Sequence, residues 1–224
     1  HDALPISVNI GMSSRQLKEA EMVLNEIVIC YDGVIIVAHP QNPIKDLSLK
    51  QVRDIFNGKI KNWKDLGWVN RRIDAVSREE GSGTRAEFEN LLKLPESDTG
   101  IVVDSTEKVL KKVEEDKNAV GYVAYSSATD TNGKILQING VLPSEKTIDN
   151  NSYPLCRDYY LAYNGELTDV EQDFLTYVKS KGQDIVKQYC IQADSTTTFL
   201  SDKSEGKILI EGSTSMEPMV KALA

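Results

Sequence analysis

The chain has 224 residues, enough for one two-lobed domain or two small ones, and 40% of them are apolar, so a sizeable core is expected. Its net charge of −8 argues against a binder of nucleic-acid backbone. It does not argue against a small anion, because a small site can be locally positive on an acidic protein. No apolar run reaches the roughly 18 residues of a membrane-spanning helix, and the first residues lack a basic-then-apolar signal pattern.

In chain order, residues 1–7, HDALPIS, match no element that follows and read like an in-frame translation of a sequencing-adapter oligonucleotide. VNIGMSSRQLKEAEMVL predicts a strand end, a Ser-Ser turn and a helix capped by Ser13 or Ser14. IVICYDGVIIVAHP reads as two β-rich runs about a turn at Asp32-Gly33. LSLKQVRDIFNGKIKNWKDLGW carries a short helix with Leu49, Val52, Ile55 and Phe56 on one face. RIDAVSR is a strand, and SREEGSGTRAEFENLL turns through glycines and hydroxyls into a helix with Phe88, Leu91 and Leu92 on one face. TEKVLKKVEEDKNAVGYVAY is a helix running into a strand, and ILQINGVLP and DYYLAYNG are further strands. TDVEQDFLTYVKSKGQDIVKQY is a helical pair with a stripe at Val170, Phe174, Leu175 and Val178. DSTTTFLSDKSEG, residues 194–206, is a polar linker, and KILIEGSTSMEPMVKALA opens a fresh strand, turn and helix. Strands alternating with helices imply an α/β fold.

Cys30, Cys156 and Cys190 have no metal-like spacing and sit in apolar contexts, so all three read as core thiols. His1 and His39 are the only histidines, which rules out a histidine-rich metal centre. Asp54, Asp65, Glu114, Glu115 and Asp116 lack metal-loop spacing and read as solvated faces. A Gly-x-Ser-x-Gly nucleophile elbow is absent around Ser82, and no turn fits a nucleotide P-loop. Neither a catalytic centre nor a cofactor is therefore expected.

What stands out is hydroxyl turns at helix starts: Gly-Ser-Gly-Thr at 81–84, Gly-Ser-Thr-Ser at 212–215, and GMSSR at 11–15. A helix N-terminus presents unpaired N–H groups and partial positive charge, which an oxyanion satisfies together. Arg78, at a strand end three residues before the first turn, adds a bidentate cation. Taken singly, Thr84 with Glu87 also fits an ordinary capping box, and Arg85, Glu79 and Glu80 read as solvated. Three such turns in one chain favour an anion site.

The segments NIGMSSRQL, DGVIIVAHPQNPIKDLSLKQVRDIFNGKIKNWKDLG, SREEGSGTRAEFENLL, NAVGYVAYSS, INGVLPSEKTIDNNSYPLCRDYYLAYNG and FLTYVKSKGQDIVKQY resemble, in order, the phosphate-binding proteins of the Pst-type ABC importer. The resemblance covers most of residues 8–192 and implies a type II periplasmic-binding-protein fold, two α/β lobes joined by a two-stranded hinge. It implies a receptor that captures inorganic phosphate and delivers it to the importer's membrane subunits, outside the cytoplasm, either in a periplasm or, in a Gram-positive cell, held on the outer face of the membrane by a lipid anchor that is not in this sequence. A receptor for another oxyanion, or a phosphate-sensing or structural module without uptake, is the alternative. The resemblance makes Arg78 the anion-pairing arginine, and Ser82, Gly83 and Thr84 the donating turn. Ser13 and Ser14 lie in the matching first-lobe turn. Ser14 falls where many members carry an aspartate, so Glu80 becomes a candidate acceptor.

KILIEGSTSMEP is similar to the start of the family domain, with Thr214 and Ser215 matching its first anion-binding turn. The implied division is 8–36 in lobe 1, 37–155 as lobe 2, 156–193 returning to lobe 1, 194–206 as linker, and 207–224 opening a second, or permuted, binding domain. A fragment of a tandem-domain parent is favoured over a permuted order. Residues 207–211 are expected to dock as a strand beside the one that ends in IGMSS, which otherwise exposes an open edge.

Overall fold

A computed structural model describes residues 9–14, 17, 19–95, 100–128, 131–193, 205–213 and 216–224. In chain order its elements are strand β1 (Ile10–Ser13), a 3-10 turn (Glu19–Glu21), β2 (Asn25–Ala38), β3 (Asp46–Leu47), helix α1 (Leu49–Phe56) and a 3-10 turn (Trp63–Leu66). Then come β4 (Asp74–Arg78), α2 (Gly83–Leu92), β5 (Ile101–Val103), α3 (Thr106–Glu115), β6 (Ala119–Ala124) and a 3-10 turn (Tyr125–Ser127). They are followed by β7 (Lys134–Ile135), β8 (Gln137–Ile138), α4 (Glu145–Asp149) and β9 (Cys156–Tyr163). The last are α5 (Asp169–Val178), α6 (Gln183–Val186), β10 (Ile191–Gln192), β11 (Ile210–Gly212) and α7 (Glu217–Leu223). The chain divides into two compact units, residues 1–32 with 157–224, and residues 33–156. It crosses between them twice, within β2 and at the start of β9.

In the first unit β1 lies between β11, parallel to it with Ile10 opposite Ile210, and β9, antiparallel with Ser13 opposite Tyr160. β10 pairs antiparallel with β2, Ile191 opposite Tyr31. Residues Ile10, Leu161 and Val178 are fully buried, and Met216, Met219 and Leu223 of the 216–224 stretch join the same core. Thus the strand expected at 207–211 is present, starting three residues later and ending one later, and its apolar neighbours fill the unit that holds Ile10.

The second unit is built on the latter half of β2, which pairs antiparallel with β6, while β6, β4 and β5 run parallel to one another. β3 and β8 form a separate parallel pair. Local chemistry sets the helix starts: Ser48 and Gln51 form a reciprocal capping box on α1, and Ser105 caps α3 through Lys108 N–H. Phe56, Phe88 and Tyr122 pack together, with Phe88 stacked on Tyr122 at 3.9 Å between ring centroids. This cluster ties α1 and α2 to β6.

Several expectations are corrected. Asp32-Gly33 is not a turn: β2 runs straight through it for 14 residues. Gly33 is there for close packing, since a Cβ at that position would lie 2.8 Å from Ile148 Cδ1, and Asp32 is buried. No helix follows Ser14 among the described residues; Ser13 ends β1, and only the three-residue 3-10 turn Glu19–Glu21 follows before β2. Met22 and Val23, which that helix would have presented to a core, are exposed. In the α5 stripe Leu175 and Val178 are buried, and Val170 and Phe174 are half-buried. Asp54 is a buried residue, held by Lys50 one helical turn away rather than solvated.

Cys30 and Cys190 are not free core thiols. They form a disulfide, with Cα atoms 6.2 Å apart and a sequence separation of 160. A pairing at that separation leaves no spacing pattern to read. Met219 Sδ lies 3.8 Å from Cys30 Sγ and 3.5 Å from Cys190 Sγ, so α7 covers the bridge. Cys156 is free and half-buried. Residues 1–8 and 194–204, which include the anomalous N-terminal stretch and most of the expected linker, lie outside the described residues.

Candidate anion site

Strand β4 ends on Arg78, and the position of that residue is fixed from beneath. Its backbone N–H donates to the Tyr122 hydroxyl at 3.3 Å, and Ser77 Oγ lies 2.8 Å from the same oxygen. Tyr122 is buried to 1% exposure, and burial pushes its hydroxyl pKa up, so it stays neutral. The Arg78 guanidinium grips Glu79 with two bonds of 2.8 Å, from Nε and Nη2, and donates from Nη1 to Thr106 Oγ1 at 2.9 Å. The Glu79 contact raises the Arg78 pKa further, and the guanidinium holds the Glu79 carboxyl below the usual carboxylate range. Glu79 is therefore an ion-pair partner whose side chain also stays partly exposed.

The turn that follows uses Gly81 at φ 88°, a left-handed conformation. A Cβ there would meet nothing within 4 Å, so the backbone and not packing asks for glycine. Ser82 then caps α2: its side-chain oxygen accepts from Arg85 N–H at 3.3 Å, and its carbonyl accepts from Ala86 N–H at 3.0 Å. The cap is Ser82 and not Thr84, which lies inside the first turn with Gly83. Glycine at 81 lets the helix be capped two residues earlier than in a Thr84-Glu87 box. α2 runs ten residues, so its N-terminus carries the helix's partial positive charge beside Ser82, Gly83 and Thr84.

Arg85 is a second correction. It is 8% exposed, and it joins Glu89 at 2.7 Å and the carbonyl of Arg78 at 3.0 Å. It staples α2 to the end of β4, where an exposed arginine was expected. Glu80 is exposed.

The other expected residues belong to the first unit. Ser13 is buried at the end of β1. Ser14 Oγ accepts from Ser213 Oγ at 2.8 Å, and Ser213 N–H donates to Met12 carbonyl at 3.0 Å. Just before Ser213, Gly212 takes φ 141°, and a Cβ there would lie 2.2 Å from Met12 carbonyl oxygen, so only glycine lets β11 come this close to β1. Thr214 and Ser215 lie outside the described residues. Sequence reasoning picked out their turn but passed over Ser213, whose hydroxyl meets Ser14; only the β1–β11 register reveals that pairing. It also passed over Arg157, whose Nη1 donates to the Ser14 carbonyl at 3.4 Å. Among the described residues no group of three or more His, Cys, Asp and Glu is arranged to hold a metal, and no helix is long and apolar enough to cross a membrane.

Strand ends carrying hydroxyls, a strand-end arginine beside a capped helix, and two α/β units linked by two crossings define a solute-binding architecture of the periplasmic type. The sequence pattern of the PBP superfamily domain matches residues 3–181. The phosphate-binding protein PstS of Bacillus subtilis is 35% identical over 180 residues, 78% of this chain and 60% of that protein. Its counterpart in Borreliella burgdorferi is 32% identical over 197 residues, 80% of this chain and 70% of that protein. A crystal structure of an ABC-type phosphate transport receptor from Vibrio cholerae superposes with a TM-score of 0.75 at 29% identity, covering 83% of this chain and 80% of that one. The chain belongs to the PBP superfamily and, within it, to the PstS-type phosphate-binding proteins. It spans 60% of the length of the Bacillus subtilis relative.

Proposed function

We propose that the chain is an extracytoplasmic receptor that captures inorganic phosphate and delivers it to the membrane subunits of an ABC importer, by binding and release without chemistry. The observation that carries this reading is the end of β4, where Arg78 stands beside the N-terminus of α2 and its Ser82 cap. Arg78, Ser82, Gly83 and Thr84 are the groups that hold the anion in this proposal; Ser13, Ser14, Thr214 and Ser215, which belong to the other unit, are the further candidates. Relatives named phosphate-binding protein and phosphate transport receptor support it. The Cys30–Cys190 disulfide supports an oxidising compartment, since such bridges persist outside the cytoplasm. Attachment to the outer face of the membrane is through a lipid anchor.

A receptor for another tetrahedral oxyanion is the second reading, favoured by one observation: Ser14, with its hydroxyl bonded to Ser213, offers no charge against an unprotonated anion. Calorimetry with phosphate, arsenate and sulfate decides between them. Binding of phosphate and arsenate with sulfate weaker by about a hundredfold, roughly 2.7 kcal/mol, is the expected result. Sulfate binding as tight as phosphate would overturn the phosphate assignment, and restored uptake in cells lacking the receptor would separate a transporter component from a sensor.

A further inference from the structure

Arg157 is 9% exposed, at the start of the long strand β9. Nη2 donates to the Tyr159 hydroxyl at 2.7 Å, and the guanidinium carbon lies 4.6 Å from the centroid of the Tyr159 ring. Tyr159 is itself 5% exposed, and its hydroxyl donates to Asp32 Oδ2 at 3.1 Å. Asp32 is itself buried in β2. Another arm of the guanidinium, Nη1, reaches the main-chain carbonyl of Ser14 at 3.4 Å.

Ser14 is the first residue past β1, where strand pairing to β9 has ended at Ser13. Its carbonyl is thus held by a cation on β9 and its hydroxyl by Ser213 beyond β11. A flat fork fixed on an aromatic face and a buried carboxylate network is a rigid prop, because its torsions are already spent. We propose that Arg157 is a positioning residue for oxyanion capture: through the Ser14 carbonyl it sets the direction of the Ser14 hydroxyl, without contacting the anion. Tyr159 and Asp32 hold Arg157 for that task. The inference rests on the phosphate reading above.

The test measures phosphate affinity and stoichiometry by calorimetry for the whole chain carrying Arg157→Gln, Arg157→Lys, Tyr159→Phe, and Arg157→Gln with Tyr159→Phe. Loss of a charge-assisted bond corresponds to about tenfold to a hundredfold, so Arg157→Gln is expected to weaken phosphate within that range with stoichiometry unchanged. Arg157→Lys, which keeps the charge but reaches only one of the two acceptors, falls between Arg157→Gln and wild type. Tyr159→Phe weakens binding less, and the double variant is no weaker than Arg157→Gln alone, since both act through one prop. A purely structural role would lower the binding-competent fraction and leave the affinity of that fraction alone. Affinity within twofold of wild type in a folded Arg157→Gln protein, or additive losses in the double variant, overturns the inference. Should Arg157→Gln fail to fold, Arg157→Lys and Tyr159→Phe carry the same comparison, and wild-type affinity in both overturns it equally. Wild-type protein that binds no phosphate removes the functional reading itself, an outcome distinct from all of these.

Discussion

Replacing Cys30 and Cys190 together by alanine removes a bridge that closes 160 residues of chain. In the loop-entropy description a closure of this length is worth about 5 kcal/mol. The structure lowers that figure. Residues 33–156 form a unit of their own, so if it stays folded the free path between the two sulfurs shortens to about 36 residues and the closure to about 4 kcal/mol. At about 4–8 °C per kcal/mol for a unit of this size, the melting of residues 1–32 with 157–224 is expected to fall by on the order of 15 °C or more. Calorimetric unfolding of wild type, wild type with reductant, and the double variant checks this, with the residue 33–156 transition as an internal control. A thiol assay on the unfolded, unreduced wild type is expected to count one thiol, Cys156. A shift under about 3 °C, or three reactive thiols, would refute the reasoning and weaken the case for an oxidising compartment.

Arg78→Ala is expected to weaken phosphate by more than a hundredfold, at the level of an unpaired buried charge of about 3–5 kcal/mol, while stability falls only by the roughly 0–1 kcal/mol of a partly exposed ion pair with Glu79. Arg85→Ala, by contrast, should lower stability by about 2–3 kcal/mol in denaturant titrations, because it strips the carbonyl of Arg78 of its buried donor. Glu79→Gln is expected to tighten phosphate about threefold to tenfold, as the fork of Arg78 no longer has to leave a carboxylate; weaker binding in titration would mean that Glu79 aims Arg78. Since the Glu79 carboxyl is depressed in the folded chain, its stabilising contribution is complete above the ordinary carboxylate range and is lost as pH falls through the lowered value; the stability gap between wild type and Glu79→Gln should close only in acid. Gly212→Ala places a Cβ against Met12 carbonyl oxygen in a strained conformation, and chemical denaturation should show a loss of about 2–4 kcal/mol.

The parts of this molecule that were legible in its sequence are those with local causes. The capped helices α1 and α2, the strand ending on Arg78, and the Gly-Ser-Gly turn follow from residues a few positions apart. The exact cap, Ser82 instead of Thr84, hung on whether Gly81 would turn left-handed, a choice that residue types leave open. Asp32-Gly33 misled because the pair is a turn signal in an exposed hairpin, whereas here Ile148 packs where a side chain would be. Arg85 and Asp54 misled in the same way: charge predicts solvent until a partner one helical turn away, Glu89 or Lys50, takes it inside. The disulfide, Ser213 against Ser14 and Arg157 under Ser14 join residues more than 140 apart, and only the folded sheet brings them together.

The pairing of Ile10 with Ile210 also orders events in time. Residues 33–156 are one uninterrupted stretch and can condense as soon as they are available. The other unit waits, because its first strand finds β11 and the Met216, Met219 and Leu223 side chains only after some 200 further residues have emerged. Contacts of such sequence separation form slowly. Until then β1 lacks its β11 neighbour, and the Cys30–Cys190 bridge waits on the late arrival of the same C-terminal stretch.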